Sequence, residues 1–339
     1  MIQIFYCDHH EIPLPAGHKF PLRKYRLLRE ILERDPCFSL APAPAASFET
    51  ICLAHDPEYV RGFLEGKLPP GVMRRIGFPW SEGLVRRTLA SVGGTLAAAE
   101  VALSHGLGGT LAGGTHHAFR GEGAGFCVFN DVAIAIHALR SRGLAQRFAI
   151  VDLDVHQGDG TAHFFEHDPG VLTLSLHGKN NFPFRKQRSR LDVELKDGTG
   201  DEEYLAALDA ALPRVWEFGP EFVFYLSGVD ALAEDRLGRL ALTLEGLKSR
   251  DQKVLEGVKA RRLTMAITLG GGYAEPIELA VEAHANTFLA AVAAFERAET
   301  IAFPPQQRIA IEPETSCSPE TGRPPRRRAT LPAPSVRCP

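Results

Sequence analysis

Four short apolar runs, at 109–112, 148–151, 222–226 and 264–269, each end in a cluster of glycine, histidine, aspartate or tyrosine. Helix-like stretches separate them, and strands alternating with helices predict an α/β protein with a parallel sheet covered by helices on both faces. In an open sheet of this kind, ligands bind beyond the carboxyl ends of the strands. Four strand ends carrying the densest His/Asp/Tyr chemistry of the chain are therefore expected to face one pocket.

The densest of these clusters is Asp152-Leu-Asp154-Val-His156-Gln-Gly-Asp159-Gly160. Alternation places Asp152, Asp154 and His156 on one side of an extended strand end. Oxygen and nitrogen donors of this type suit a divalent cation such as zinc, which they bind at about 2.0–2.2 Å. The second cluster is Gly113-Gly114-Thr115-His116-His117, where the glycines let paired histidines depart from strand geometry. Tandem histidines alone are usually a surface accident, so their weight comes from the company they keep. The run Phe222–Leu226 ends in Ser-Gly228-Val-Asp230, and Asp230 offers a third metal ligand. The last run opens into Gly270-Gly-Gly-Tyr273, whose phenol is able to donate a hydrogen bond.

Taken in order, these motifs together with Gly125-Phe126-Cys127 resemble the signature of the zinc-dependent histone deacetylases. The resemblance runs from about Ile2 to Phe303. His18-Lys-Phe-Pro-Leu-Arg-Lys-Tyr25, Gly77-Phe-Pro-Trp-Ser81 and Arg190-Leu-Asp-Val-Glu-Leu195 are most similar to the class IV branch and its bacterial relatives. It implies one arginase/deacetylase-like catalytic domain over 1–303 and one zinc per chain, held by Asp154, His156 and Asp230. By the same resemblance His117 is general base and then acid, and His116 is the polarising partner. Asp152 and Asp159 orient those two histidines, and Tyr273 donates to the developing oxyanion. Gly125, Phe126 and Phe182 are implied as the substrate tunnel, although Phe184 competes for the place of Phe182. A structural potassium ion is implied near Asp152, Asp154, His156, Ser175 and Leu176. Two departures stand out. No carboxylate occurs near Gly77, where some relatives grip the peptide backbone, and Thr115 replaces a bulky aromatic, which predicts a roomier inner cavity.

Composition narrows the remaining choices. Apolar residues make up 45% of the chain, enough for a large core, and a net charge of −3 gives no general drive toward nucleic acid or membrane. The six cysteines, at 7, 37, 52, 127, 317 and 338, form no CxxC pair and read as reduced thiols. The absence of an 18-residue apolar run and of a basic-then-apolar start points to the cytoplasm. The segment 304–339 holds nine of the 24 prolines and Arg326-Arg-Arg328, and is expected to be disordered. Helices are expected at Glu82–His105, at Asp131–Arg142 (capped by Asn130 or Asp131), from Asp201, and at Glu275–Glu299 with Pro276 in the first turn. His137 and His284 are expected to be packed or surface groups, and His9, His10 and His18 are candidates for the pocket entrance.

The expected activity is hydrolysis of acylated lysine side chains on a protein or peptide. A small acylated amine, such as an acetylated polyamine, is the alternative substrate. An arginase-like ureohydrolase, with two manganese ions, needs more carboxylate ligands than Asp230 has beside it. An acyl-lysine binding module is disfavoured because no catalytic position is missing, and the tail arginines are too little for specific nucleic-acid binding. Oligomeric state is left open.

Overall fold

The protein is described by a computed structural model, which places residues 1–296. The expectations for 304–339, and for the helix beyond Glu296, lie outside the described residues. Eight strands form one parallel sheet: β1 (Ile2–Tyr6), β2 (Phe38–Pro42), β3 (Leu107–Thr110), β4 (Phe148–Asp152), β5 (Val171–Gly178), β6 (Leu191–Leu195), β7 (Phe222–Leu226) and β8 (Thr264–Thr268). Their spatial order is β2-β1-β3-β8-β7-β4-β5-β6. The helices are α1 (Leu22–Leu32), α2 (Phe48–Ile51), α3 (Pro57–Leu64), α4 (Pro70–Ile76), α5 (Glu82–His105), α6 (Asp131–Ser141), α7 (Asp159–Phe165), α8 (Asp201–Glu217), α9 (Leu244–Ala260) and α10 (Ile277–Glu296).

The central strands are buried on both faces, which is why β4 and β7 read as unbroken apolar runs rather than alternating ones. Alternate side chains still enter different layers. Phe148, Ile150, Phe222, Phe224 and Ala266 pack with Ile134 and Ile136 of α6. Ala149, Val151, Val223, Tyr225 and Met265 pack on the other face with Leu208 of α8, Val254 of α9 and Phe288 of α10. Register aligns the chemistry. Asp152 pairs with Ser175 on one side and Leu226 on the other, and Leu226 pairs with Thr268. The loops that leave β4, β7 and β8 therefore start at one level of the sheet.

Helix signals agree with the expected elements, with local differences. Ser81 caps α5 by accepting the Leu84 N–H, and Gly106, at φ 83°, ends it. Asn130 is the cap of α6, accepting from Ala133 N at 2.9 Å. Asp131 is free for another task. Pro276 precedes α10 rather than sitting in its first turn, because the helix begins at Ile277. Strand β3 ends at Thr110, so Leu111 and Ala112 already belong to the loop.

Candidate active site

Asp154 and His156 follow β4 by two and four residues, and Asp230 follows β7 by four. Their ligand atoms lie within 4.8 Å of one another, and among the described residues this is the one such cluster of three or more. His156 Nδ1 is 2.9 Å from Asp154 Oδ1 and 3.0 Å from Asp230 Oδ2. The other oxygens are tied to backbone: Val155 N donates to Asp230 Oδ1 at 2.8 Å and Gly271 N to Asp154 Oδ2 at 2.5 Å. Two carboxylates, both almost wholly buried, face each other here. Burial, and then the charge of Asp154, push Asp230 up to about 7. Two carboxylates and an imidazole gathered this closely form an oxygen and nitrogen donor set that fits a divalent ion.

The paired histidines reach this trio from the loop after β3. Gly113 and Gly114 take left-handed backbone (φ 78° and 69°), and a Cβ at Gly113 would lie 2.4 Å from Asp131 Oδ2. Asp131 pins the bend by accepting Gly114 N at 3.0 Å and Thr115 N at 2.8 Å. His116 Nδ1 then meets Asp152 Oδ2 at 2.7 Å, and His117 Nδ1 meets Asp159 Oδ1 at 2.7 Å. The environments of the two rings push them apart. Burial works against a charge on His116, but the Asp152 and Asp154 carboxylates outweigh it and raise the ring to about 9. On His117, burial and then the neighbouring His116 win over Asp159 and lower it to about 4. The surroundings favour a charge on His116 and disfavour one on His117.

Gly270, Gly271 and Gly272 bring Tyr273 over the trio. A Cβ on Gly271 would lie 1.8 Å from Asp230 Oδ2, so only glycine lets the backbone pass there. Tyr273 N donates to Asp235 Oδ2 at 2.6 Å, and burial raises its phenol well above the usual range, keeping the proton on it.

Above the trio, Phe126 and Phe182 wall a cavity of about 490 Å³. Phe126 stands 6.1 Å from the Tyr273 ring, and Phe182 lies edge-on to His117 at 4.8 Å. Gly125 makes room for that pair, since a Cβ there would come within 2.7 Å of His117 and 3.3 Å of Phe182. Both Phe182 and Phe184 line the cavity; Phe182 packs against His117, whereas Phe184 is 84% exposed.

A protein-family model described as the histone deacetylase domain matches residues 18–288. An uncharacterized protein from a Picosynechococcus strain is 46% identical over 285 residues, covering 83% of this chain and 95% of its own. Histone deacetylase 2 of Arabidopsis thaliana is 37% identical over 186 residues, 54% of this chain and 48% of its own. The chain belongs to the histone deacetylase family. Its fold is that of a solved structure, an acetylpolyamine aminohydrolase from Burkholderia pseudomallei, which is similar with a TM-score of 0.73 at 20% identity over 87% of this chain and 99% of the other. Membership makes the protein a hydrolase of carbon–nitrogen bonds other than peptide bonds. No described helix is long and apolar enough to cross a membrane.

Within this deacetylase scaffold several supporting residues escaped the sequence reading. Lys24 of α1 is buried behind the glycine loop, with Nζ donating toward Gly270 O at 3.4 Å and His284 Nε2 at 3.2 Å. His284 is thus packed, at the back of the site. Arg250 donates to Gly228 O at 2.5 Å and pairs with Asp251, fixing the loop that carries Asp230. Gln157 holds the turn between His156 and Asp159 by donating to Asp192 Oδ1 at 2.7 Å. Of the entrance histidines, His18 bonds Gly77 O at 2.9 Å and packs on Phe78 and Phe126, lining a neighbouring pocket with Tyr273 rather than this cavity. His9 and His10 stack on each other instead and do not line the cavity. Ser175 and Leu176 lie on β5, where Ser175 pairs in register with Asp152, and the Ser175 hydroxyl is engaged with His177 Nδ1 at 3.0 Å.

Proposed function

We propose that the protein removes an acyl group from a lysine side chain, with one zinc ion held by Asp154, His156 and Asp230. The observation that carries this reading is the convergence of two His–Asp pairs and Tyr273 on one buried ligand trio, at the base of an aromatic-walled cavity. Zinc bound there supplies Lewis acidity to the amide carbonyl and to water.

The rest is done by the chain. Asp159 takes the Nδ1–H of His117, which leaves the neutral Nε2 as the acceptor for a proton from water. The water oxygen bonds to the carbonyl carbon, the C–N bond breaks, and His117 returns the proton to the departing amine. A carboxylate and a free amine result. Tyr273 donates its phenolic hydrogen to the carbonyl oxygen as charge develops on it, and His116, oriented by Asp152, adds a positive charge nearby. Phe126 and Phe182 flank the methylene stem of the lysine and exclude water from the reaction. A monovalent cation beside Asp152, Asp154, His156, Ser175 and Leu176 and action in the cytoplasm complete the proposal.

Between the two substrate classes, the cavity favours lysine. Arg75 and Arg239 line its mouth, and among the described lining residues the one carboxylate is Asp154, which belongs to the ligand trio. Each of these arginines is paired with one exposed carboxylate, Arg75 with Glu122 and Arg239 with Asp197, so the mouth carries no excess of acid to attract a polycationic amine. Turnover of an acetyl-lysine peptide and of an acetylated polyamine, with metal content measured on the same sample, tests the reading. Expected are one zinc per chain, hydrolysis of the peptide, and loss of both metal and activity in Asp230→Ala. Two tightly held manganese ions, or a zinc-loaded protein inert toward every acyl amine, would overturn it.

A further inference from the structure

The cavity does not end at the histidines. Past Thr115 and Gly113 it continues to Cys7, Tyr25, Arg87 and Ser91. Thr115 leaves the way open because its hydroxyl is turned aside, bonded to Asp131 and to Phe129 O. Arg87 of α5, one turn before Ser91 and only 7% exposed, is part of this lining. Its guanidinium lies over the Tyr25 ring at 4.6 Å, and one nitrogen donates to Cys7 O at 3.4 Å. No carboxylate comes within 4 Å of it among the described residues.

Burying a charge is costly unless an opposite charge answers it. The other fully buried guanidinium follows that rule, since Arg250 is paired with Asp251. Arg87 is not, and the ionisable groups that feel its charge include Cys7, His10, Lys24 and Tyr25, none of them a carboxylate. Guanidinium offers five N–H donors in a planar fork that matches a carboxylate. Ser91 stands beside it; its Oγ accepts the Gly113 N–H at 3.1 Å and keeps its own proton for a second anion oxygen. An unanswered cation in the lining of a cavity entered past the reacting groups is the complement of an anion at the end of an acyl chain.

We infer that Arg87 receives a terminal carboxylate on the acyl group, so that the preferred substrates are lysines acylated by a dicarboxylic acid of the malonyl, succinyl or glutaryl type. The inference rests on the deacylase reading given above and names its acyl class. Hydrolysis then adds water across the C–N bond and yields free lysine and a dicarboxylate, with no other reactant. A neutral alkyl chain of equal length fills the same space but sets a methyl group against the buried charge. The same fork would equally hold the carboxylate of a short monoacid after hydrolysis, and the test separates the two.

The experiment compares kcat/KM for one lysine peptide carrying acetyl, hexanoyl, malonyl, succinyl, glutaryl and amide-capped glutaryl groups. Wild type, Arg87→Met and Arg87→Lys are each assayed, with binding of free glutarate to each followed by calorimetry. Expected is at least a tenfold preference of wild type for one of the charged acyl groups over its neutral counterpart. Arg87→Met should cancel or invert that preference, Arg87→Lys should retain part of it, and glutarate binding should weaken in parallel. Equal rates on charged and neutral acyl groups in wild type overturn the inference while leaving the deacylase reading intact. So does a wild type without the preference whose inhibition by acetate is relieved in Arg87→Met, since the arginine then holds the product alone. If no acyl-lysine is hydrolysed, the deacylase reading falls. The Arg87 site is then decided by glutarate, upheld by binding that Arg87→Met abolishes and overturned by its absence. Should Arg87→Met fail to fold, the wild-type preference and the Arg87→Lys variant still decide.

Discussion

Two regions of the molecule each contain a buried histidine and a tyrosine, and what separates them is whether those polar groups already have partners. In the first, His117 bonds Asp159 through Nδ1, and neither its Nε2 nor the Tyr273 hydroxyl has a hydrogen-bond partner among the described residues. In the second, His55 bonds Arg120 O through Nδ1 at 3.1 Å and accepts the Asn130 N–H on Nε2 at 2.8 Å, while Tyr59 donates to Val128 O at 2.8 Å. Burial, the largest cause in both cases, lowers both rings to about 4. Protonation behaviour therefore does not tell them apart. A lone pair left over for a reactant does. The first region spends its polar groups on what is to come, and the second has already spent them on the backbone that enters α6.

The sharpest way to break this contrast is to exchange the losses. His117→Ala should lower turnover by roughly 10²–10⁴, the usual contribution of a general acid–base group, with melting temperature little changed. His55→Ala should do the reverse, costing roughly 2 kcal/mol of stability by stranding the Asn130 N–H, with turnover of the folded fraction near wild type. Comparable activity losses in both would erase the distinction.

The tyrosines come next. Tyr273→Phe should cost roughly 10²–10³ in kcat, as loss of an oxyanion donor does, with metal content retained. Tyr59→Phe should leave kcat alone and lower stability by about 1 kcal/mol. Steady-state kinetics beside thermal denaturation reads both.

A smaller effect concerns orientation. Asp159→Asn should reduce turnover by roughly 10–100-fold, because the amide no longer fixes which nitrogen of His117 carries the proton. Wild-type rates in Asp159→Asn would mean that packing against Phe182 is enough to set the ring.

The smallest is in the pH dependence of folding. His55 has its folded pKa lowered, so below about 6.5 the unfolded chain takes up a proton that the folded chain refuses until about 4. Its stabilising contribution is whole above 6.5 and is lost as pH falls through that window, with a limiting slope of about 1.4 kcal/mol per pH unit. Denaturant titrations at several pH values should show His55→Gln with a shallower slope than wild type over this range.

How much of this was readable in the chain follows from how local each signal is. Asp152, Asp154, His156 and Asp159 occupy one eight-residue stretch, Tyr273 follows three glycines directly and His116–His117 come one residue after a glycine pair, so pattern alone marks them. The parallel sheet was legible for a related reason, since strands covered on both faces cannot hide a polar alternation. Partners drawn from distant segments leave no such trace. His55 meets Asn130 across 75 positions and Lys24 meets His284 across 260. Nothing in an amphipathic helix distinguishes Arg87, which turns inward, from Arg86, which faces solvent with Glu82. Asp131 shows the limit most clearly. Its place made it a cap candidate, but Asn130 supplies the cap and Asp131 turns back to the glycine bend, a choice that only the folded loop can make.

One wall of the cavity behaves as a stop rather than a spring. Phe126 holds a left-handed backbone (φ 66°), a conformation that costs a non-glycine residue energy, and the amides of Gly125 and Phe126 are tied to Arg75 O at 3.1 Å and Ile76 O at 2.7 Å. Behind the ring stands Gly77, where even a Cβ would press on it at 3.0 Å. The ring thus has nowhere to retreat by rotation, and widening the passage means shifting the end of α4 as a body. On this side, then, the girth of the passage is set by backbone rather than by a side-chain rotamer, and an acyl-peptide series of increasing girth is expected to show a step rather than a gradual decline in rate.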